Sequence, residues 1–488
     1  MRFTCHKPST EIDTELVALG LWKDQKLGGL ALQWDRRLRG LISRTLKQEQ
    51  FKCKTGETRL LTMTEPGIRC LLLVGLGTKE KATSDLARRL GALAVQLGNK
   101  VRARRIAVEI PLLPKSLGPA AQWISEGAVL GNYSFDRYKS ENISKKTVEE
   151  VRLLGGEGLA EGAVTRGRQL AEATNFARDL VNTPASDMTP ARLVEEARKI
   201  GKLRGLSVRI LDRQACAKLG MGGFLAVAKG SEQPPYLIHL TYRPAGKRRE
   251  TAALVGKGVT FDSGGLSLKT AQGMETMKYD MSGAAAVLAV MRALAELRPP
   301  VAVHGIAAVT ENMPSGAADK PGDIARTLNG KTIEILNTDA EGRLTLADAI
   351  PYAIRQKPDF VIDLATLTGA CVVALGERCS GIMGNDQKLI DRLTRAGKEA
   401  GETLWQLPMV EEYREEIRST VADLKNVGGK SAGTITAALF LEEFVTPKVP
   451  WAHIDMAGPC WAEKETELCP RGATGALVRT LCQFLLHR

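Results

Sequence analysis

Leu254-Val255-Gly256-Lys257-Gly258-Val259-Thr260-Phe261-Asp262-Ser263-Gly264-Gly265 opens as a short apolar strand and breaks into a glycine-rich loop. Lys269 follows in a Ser-Leu-Lys-Thr loop, and Met277-Lys278-Tyr279-Asp280-Met281-Ser282-Gly283 leads into an Ala-rich helical run, Ala284 to Leu297. Val301 to Val309 is apolar again. Strand, helix and strand in that order predict an α/β unit with parallel pairing. The pattern continues on both sides. Leu206 to Leu211, Tyr236 to Tyr242, Ala252 to Val255, Thr332 to Leu336 and Phe360 to Leu364 read as strands, and Ala347 to Arg355 and Leu389 to Gly401 as helices. The expected fold is α/β, with a mixed, largely parallel sheet covered by helices on both faces. Ligands in such sheets collect beyond the carboxyl ends of strands. Lys257, Asp262 and Asp339 each fall just after an expected strand.

The first third of the chain forms a smaller unit of the same kind. Residues 69–76 read as a buried strand, Ser84-Asp85 caps a helix, and Ile106 to Ile110 is a strand ended by Pro111 and Pro114. Gly75-x-Gly77 is read as a turn, because Glu80 stands where a dinucleotide fingerprint needs its third glycine. Gly155-Gly156-Glu157-Gly158 marks the expected boundary. The division is then an N-terminal α/β domain over 1–158, a connecting helix over 159–185, and a larger domain over 186–488. Within the last, Thr189-Pro190 opens a helix with a capping hydroxyl and proline in the first turn.

A chain of 488 residues with 44% hydrophobic and 25% charged residues is an ordinary soluble composition. No apolar run reaches the roughly 18 residues that span a bilayer, and Met1 to His6 leads into acidic Glu11-Ile12-Asp13 without an apolar signal core. A cytoplasmic protein without membrane contact is expected. Nine cysteines without a Cys-x-x-Cys pair argue against a disulfide framework and a zinc ribbon. With five histidines and no His-Glu-x-x-His, any metal site must rely on carboxylates. The net charge of +13 leaves DNA open as a partner, but no zinc finger, basic zipper or RNP-type sequence supports it. A solvated basic face is the simpler reading.

The candidate chemistry is concentrated in Asn337-Thr338-Asp339-Ala340-Glu341-Gly342-Arg343-Leu344. If this stretch is extended, Asp339, Glu341 and Arg343 share one face. Alone it reads equally as an exposed loop with a surface ion pair. Asp262, Asp280, Asp339 and Glu341 would carry four negative charges and repel if gathered without partners. Two divalent cations would neutralise them and, bridged by carboxylates, sit about 3.5–4 Å apart around one water. An ammonium at Lys257 is untenable beside two cations, so Lys257 would lose its proton and coordinate as an amine. Oxygen donors with one amine suit Mn²⁺, Zn²⁺ or Co²⁺.

These pieces, in this order and spacing, resemble the bacterial form of the leucyl aminopeptidase family, the two-metal exopeptidases. The resemblance runs from about Leu170 to the C-terminus and includes Asn175-Phe176-Ala177-Arg178-Asp179-Leu180-Val181-Asn182-Thr183-Pro184. It implies an enzyme that removes the first residue of peptides, with leucine and other apolar residues preferred. It assigns Lys257 and Asp280 to one metal, Asp339 to the other, and Asp262 and Glu341 to both. Lys269 stabilises the oxyanion, and Arg343 holds a bicarbonate that acts as base on the bridging water. Met277, Asn337, Thr366, Ala457 and Cys460 line the first-residue pocket, where Cys460 replaces the methionine common in the family. Leu367 and Gly369, within Thr366-Leu367-Thr368-Gly369, contact the substrate backbone. The family assembles as homohexamers.

Two other readings remain at the level of sequence. A two-metal phosphoesterase shares the metal logic but usually includes histidine ligands, which both motifs lack. A DNA-binding protein with the peptidase as a second role would draw on the basic N-terminal third. Gly256-Lys257-Gly258 lacks the upstream glycine and the hydroxyl residue of a phosphate-binding loop.

Overall fold

The structure is a computed structural model that describes residues 1–23, 25–48, 50–63, 68–114, 117–155, 161–246 and 248–486. It contains two compact units, Met1–Glu172 with Lys464–Pro470 and Ala173–Glu463 with Arg471–Arg488. Gly156, Glu157 and Gly158 of the expected boundary, and the first residues of the expected connecting helix, lie outside the described residues. The described part of that helix runs Glu161–Asn182.

The smaller unit is built on six strands: β1 (Arg2–His6), β2 (Leu16–Trp22), β3 (Thr58–Thr62), β4 (Cys70–Gly77), β5 (Arg105–Glu109) and β6 (Glu150–Leu154). Their order is β1-β6-β5-β2-β4-β3, parallel throughout except for β3. All eight residues of β4 are buried, as a strand covered on both faces requires.

The larger unit continues with β7 (Leu206–Leu211), β8 (Tyr236–Tyr242), β9 (Thr251–Asp262), β10 (Ala302–Asn312), β11 (Asp323–Arg326), β12 (Thr332–Ile335), β13 (Phe360–Ala365), β14 (Cys379–Gly384), β15 (Thr403–Gln406), β16 (Leu424–Lys425) and β17 (Trp451–Asp455). Eight of these form one sheet in the order β15-β14-β17-β13-β9-β10-β8-β7. Its centre, β17-β13-β9-β10, is parallel, and β14, β8 and β7 join through antiparallel pairs. The expected mixed, largely parallel sheet is what folds.

Two local expectations are corrected. First, the strand read as Ala252 to Val255 does not break at the glycines; β9 runs through Gly256-Lys257-Gly258 to Asp262. Lys257 therefore sits inside the ladder, opposite Ala308 of β10, rather than after the strand. The glycines serve packing: a Cβ on Gly256 would stand 2.5 Å from the Gly283 carbonyl, and one on Gly283 would stand 2.2 Å from that of Leu364. Their absence lets the helix Ser282–Leu297 lie directly on the sheet. Second, 337–343 is not extended. Asn337 folds back on Asp339, whose N–H donates to Asn337 Oδ1 at 2.8 Å, and a helix begins at Gly342 and runs to Ile354. This local side-chain bond competes with strand pairing. Asp339, Glu341 and Arg343 therefore leave the backbone from a turn, a helix cap and a first helical turn.

Candidate metal centre

The carboxyl ends of β13, β9 and β10 deliver the first set of groups. Asp262 is the last residue of β9, Asn312 the last of β10, and Thr366 follows β13. Asp280 lies on a single 3₁₀ turn, Met277–Met281, that feeds the helix Ser282–Leu297. Glu341 caps the helix Gly342–Ile354. One oxygen each from Asp262, Asp280 and Glu341, all buried, lie within 4.8 Å of one another. Lys257 Nζ stands 2.8 Å from Asp280 Oδ1 and 2.7 Å from Glu341 Oε1, and donates to the Thr366 carbonyl at 3.0 Å. Lys269 Nζ stands 2.8 Å from Asp262 Oδ2 and 2.5 Å from Asp339 Oδ1. Six of the seven predicted ligand and catalytic residues, all but Arg343, thus gather in one cluster.

Supporting bonds hold the carboxylates in place. Asp262 Oδ1 accepts from Asn312 Nδ2 at 2.8 Å and from the Gly264 N–H at 2.9 Å. Asp280 Oδ1 accepts the Thr366 hydroxyl at 2.7 Å. Thr338 ties the loop before Lys269 to the loop before Asp339, donating to the Gly264 carbonyl at 2.7 Å and accepting from the Ser267 N–H at 2.8 Å. Gly342 is required by contact: a Cβ there would stand 2.6 Å from Lys257 Cε and 2.8 Å from its Nζ.

The electrostatics are those of a charge cluster out of water. Burial, then the neighbouring carboxylates Glu341 and Asp262, push Asp280 well above the usual carboxylate range against the pull of Lys257. Burial and Asp262 likewise raise Glu341. Burial opposes the Lys257 ammonium, but Asp280, Glu341 and Asp262 together outweigh it and hold that pKa up. Lys269 follows the same logic between Asp262 and Asp339.

The donor set fits a divalent cation. Asp280 Oδ2, Glu341 Oε1 and Asp339 Oδ1 are buried and, among the described residues, accept no hydrogen bond of good geometry, although a lysine stands at ion-pair distance from each. Such oxygens retain lone pairs for a metal, and a set of hard oxygen donors suits a divalent cation such as Mn²⁺.

Arg343 lies apart from these contacts. Its guanidinium donates to the Asn426 carbonyl at 2.7 Å, its Nε is buried without an acceptor among the described residues, and burial pulls its pKa down to about 10. Asn426 also accepts from the N–H groups of Leu336 and Asn337 and donates to the Asn337 carbonyl. Of the expected pocket residues, Thr366 touches Asp280, and Cys460 Sγ lies 3.2 Å from the Ala457 carbonyl. Burial and the Asp280 charge push the Cys460 thiol up. Met277 and Asn337 lie on the segments that carry Asp280 and Asp339. Asp455, at the end of β17, ties Leu367, Thr368 and Ala457 together. Asn312, Asn426 and Asp455 were not singled out in the sequence. A polar residue closing an apolar strand, as Asp455 closes Trp451-Ala452-His453-Ile454, is the signal that could have found one of them.

A model of the catalytic domain of the cytosol aminopeptidase family matches residues 175–482, and a model of that family's N-terminal domain matches 18–142. The chain belongs to the cytosol aminopeptidase family. A probable cytosol aminopeptidase of Nostoc punctiforme is 45% identical over 485 residues, covering 98% of each chain. One from Thermosynechococcus vestitus is 47% identical over 456 residues, covering 92% of this chain and 91% of the relative. Among solved structures, a tomato leucine aminopeptidase mutant superposes with a TM-score of 0.91 at 40% identity, covering 100% of this chain and 97% of that one. The bottromycin maturation enzyme BotP, in complex with Mn, superposes with a TM-score of 0.85 at 39% identity, covering 97% and 99%. The chain is accordingly a metal-dependent exopeptidase that acts on peptides. Among its described residues no helix is long and apolar enough to cross a membrane.

Proposed function

We propose that the enzyme removes leucine and other apolar residues from the free amino terminus of peptides, using two divalent ions, Mn²⁺ or Zn²⁺. The observation that supports this most is the buried union of Asp262, Asp280 and Glu341 with Lys257, extended to Asp339 through Lys269. Lys257 and Asp280 would hold one ion, Asp339 the other, and Asp262 and Glu341 both. When bound, the ions supply Lewis acidity and an anchor for the substrate amine, and a bicarbonate on Arg343 supplies a base. The chain's own residues do the rest. Lys269, between Asp262 and Asp339, donates to the oxyanion that forms at the scissile carbonyl. Arg343, with a buried Nε lacking an acceptor among the described residues, offers its fork to a small oxyanion. The backbone of Leu367 and Gly369 orients the peptide. Thr366 and Asn337 border the first-residue pocket, and Met277, Ala457 and Cys460 give it a soft apolar wall that excludes water.

The domains are an N-terminal one over 1–158, a connecting helix over 159–185 and a catalytic one over 186–488. The protein works in the cytoplasm as a homohexamer, and Leu266 and Leu268, both exposed beside Lys269 in the single chain, suit burial by a second copy. Light scattering on a column should give six times 52.8 kDa.

The decisive experiment is hydrolysis of Leu-p-nitroanilide by metal-free protein reloaded with single metals, beside acetyl-Leu-p-nitroanilide. Activity lost with chelator, restored by Mn²⁺ and absent on the acetylated substrate is expected. Equal turnover of the acetylated substrate would remove the exopeptidase reading, and hydrolysis of p-nitrophenyl phosphate in its place would favour a phosphoesterase.

A further inference from the structure

Asn426 follows the two-residue strand β16 and is wholly buried. β16 pairs with β12 only as far as Glu334 beside Lys425, and the Asn426 N–H closes that ladder on the Glu334 carbonyl at 3.0 Å. Past β12 the chain turns, which leaves its N–H and C=O groups without strand partners. The Asn426 side chain takes their place. Its Oδ1 accepts the N–H groups of Leu336 at 2.9 Å and Asn337 at 3.3 Å. Its Nδ2 donates to the carbonyls of Asn337 at 2.7 Å and Ala340 at 3.4 Å. One carboxamide thus serves the turn as an added peptide group, accepting and donating at once.

These bonds reach the metal centre from two directions. Asn337, gripped at both its N–H and its carbonyl, accepts the Asp339 N–H on its own side chain at 2.8 Å. Ala340, gripped at its carbonyl, stands between Asp339 and Glu341. The Asn426 main-chain carbonyl meanwhile accepts from Arg343 Nη1 at 2.7 Å. Asn426 is therefore tied both to the turn that carries Asp339 and to Arg343, which share no hydrogen bond or ion pair among the described residues. The turn has a second anchor. The Thr338 N–H donates to Ser267 Oγ at 3.1 Å, and its hydroxyl donates to the Gly264 carbonyl at 2.7 Å. With that anchor the turn keeps its place on the Lys269 side when the Asn426 amide is lost, and its spacing from Arg343 is what loosens.

We propose that Asn426 is a positioning residue of the peptidase reaction. Its amide sets Asp339 and its carbonyl sets Arg343, so the metal ligand and the anion-holding guanidinium keep one fixed separation. The inference rests on the roles given above to Asp339 and Arg343.

Asn426→Ala removes the amide and keeps the carbonyl, whereas Asn426→Asp keeps the shape and the acceptors and loses both donors. Asn426→Ser leaves a hydroxyl for the Leu336 and Asn337 N–H groups and is the milder change should the others fold poorly. Metal-free, full-length protein is titrated with Mn²⁺ by calorimetry, with Asp339→Ala as reference. Hydrolysis of Leu-p-nitroanilide at saturating Mn²⁺ and the thermal midpoint are measured beside it. Each Asn426 variant should bind one Mn²⁺ as the wild type does and the other about tenfold more weakly, as the loss of one or two ordinary hydrogen bonds implies. The weakened ion should be the one that Asp339→Ala loses. With both ions bound, kcat should still fall by about 10- to 100-fold, the cost of a small misplacement of a reacting group. A role in folding alone would lower the thermal midpoint and leave both affinities and kcat as they are. That result, or equal weakening of both ions, overturns the proposal. Asp339→Ala holding both ions at wild-type affinity would sink the metal assignment and this inference with it. Loss of one ion from Asp339→Ala, beside two ions held normally by the Asn426 variants, would sink this inference alone.

Discussion

Asp455 Oδ2 accepts the Thr368 hydroxyl at 2.7 Å, while its Oδ1 takes the N–H groups of Leu367 at 3.2 Å and Ala457 at 3.1 Å. One buried carboxylate thereby fixes the spacing between the loop after β13 and the turn after β17, the two segments proposed to face the substrate. Thr368 is held further by Thr434 at 3.0 Å, and caps the helix Gly369–Leu375 by accepting from the Cys371 N–H. Asp455 itself is placed as a positioning group. Asp455→Asn retains one acceptor and presents an N–H₂ to a hydroxyl that can rotate to accept. KM for Leu-p-nitroanilide should rise about tenfold, matching the ~1.5 kcal/mol at the low end for a hydrogen bond to a charged group. Bound Mn²⁺ and kcat should change far less. Steady-state kinetics with metal analysis checks the split, and an unchanged KM would refute the positioning role.

Gly342 tests how tightly the helix start is pressed on Lys257. A methyl at Gly342 would stand 2.6 Å from Lys257 Cε, so Gly342→Ala must displace either the lysine or the helix. Lys257 is enclosed by Asp280, Glu341 and Thr366 and has no free direction to move. Gly342→Ala should weaken Mn²⁺ binding at least tenfold. Titration followed by calorimetry reads the effect, and wild-type affinity would show that the helix yields instead.

Lys269 and Arg343 should separate catalysis from metal binding. Lys269→Ala or Arg343→Ala is expected to lower kcat by about 10²–10³, the usual cost of one oxyanion donor, with both metals retained. An equivalent of metal lost from either variant would make that residue a structural support of the cluster.

Much of this was legible in the sequence, and the exceptions have physical causes. Tyr236–Tyr242 stands where its apolar run puts it, because burial leaves a near-continuous signal, and the edge strand Leu206–Leu211 shows the alternation of a strand with one face outward. The carboxyl end of β9 was misread because glycine ordinarily weakens a strand; at Gly256 it is kept for helix contact, which is a tertiary cause. Asp339, Glu341 and Arg343 were grouped by a strand periodicity that the Asn337 turn abolishes. The carboxylates still converge because loops from separate strands bring them together. Asn312, Asn426 and Asp455 could not be ranked, since the partners that tie them to the site lie 26 to 90 residues away, Ala457 beside Asp455 excepted. Nor does composition reveal that Lys464–Pro470 packs with the first unit.

The bridging assignments predict a graded response to metal. Asp262→Ala and Glu341→Ala should each disturb both ions, whereas Asp339→Ala, half-exposed at the edge of the cluster, should mainly affect one. Mn²⁺ titration of the three variants distinguishes them. Two ions held by Glu341→Ala as tightly as by wild type would exclude the bridge.

A last prediction concerns pH and the strand that carries Asp455. His453 is sealed from solvent, with Nδ1 2.6 Å from Asp363 Oδ1; Trp451 Nε1 donates to the other oxygen of Asp363 at 2.7 Å. Burial opposes the imidazolium, but Asp363 and Asp455 outweigh burial and the nearby Arg343, so the His453 pKa lies above its ordinary value. A histidine whose folded pKa exceeds its unfolded one adds stability that is complete below about 6.5 and is lost as pH rises through the folded value. The thermal midpoint of the Mn²⁺-loaded protein should therefore fall from pH 6.5 upward by more in the wild type than in Asp363→Asn, where the counter-charge is gone. Asp363→Asn should also be the less stable of the two at pH 6, because its imidazole is left buried without an ionic partner. Scanning calorimetry between pH 6 and 9 makes the comparison. Parallel curves for the two proteins would mean that His453 stays neutral throughout and that its bond to Asp363 is an uncharged one.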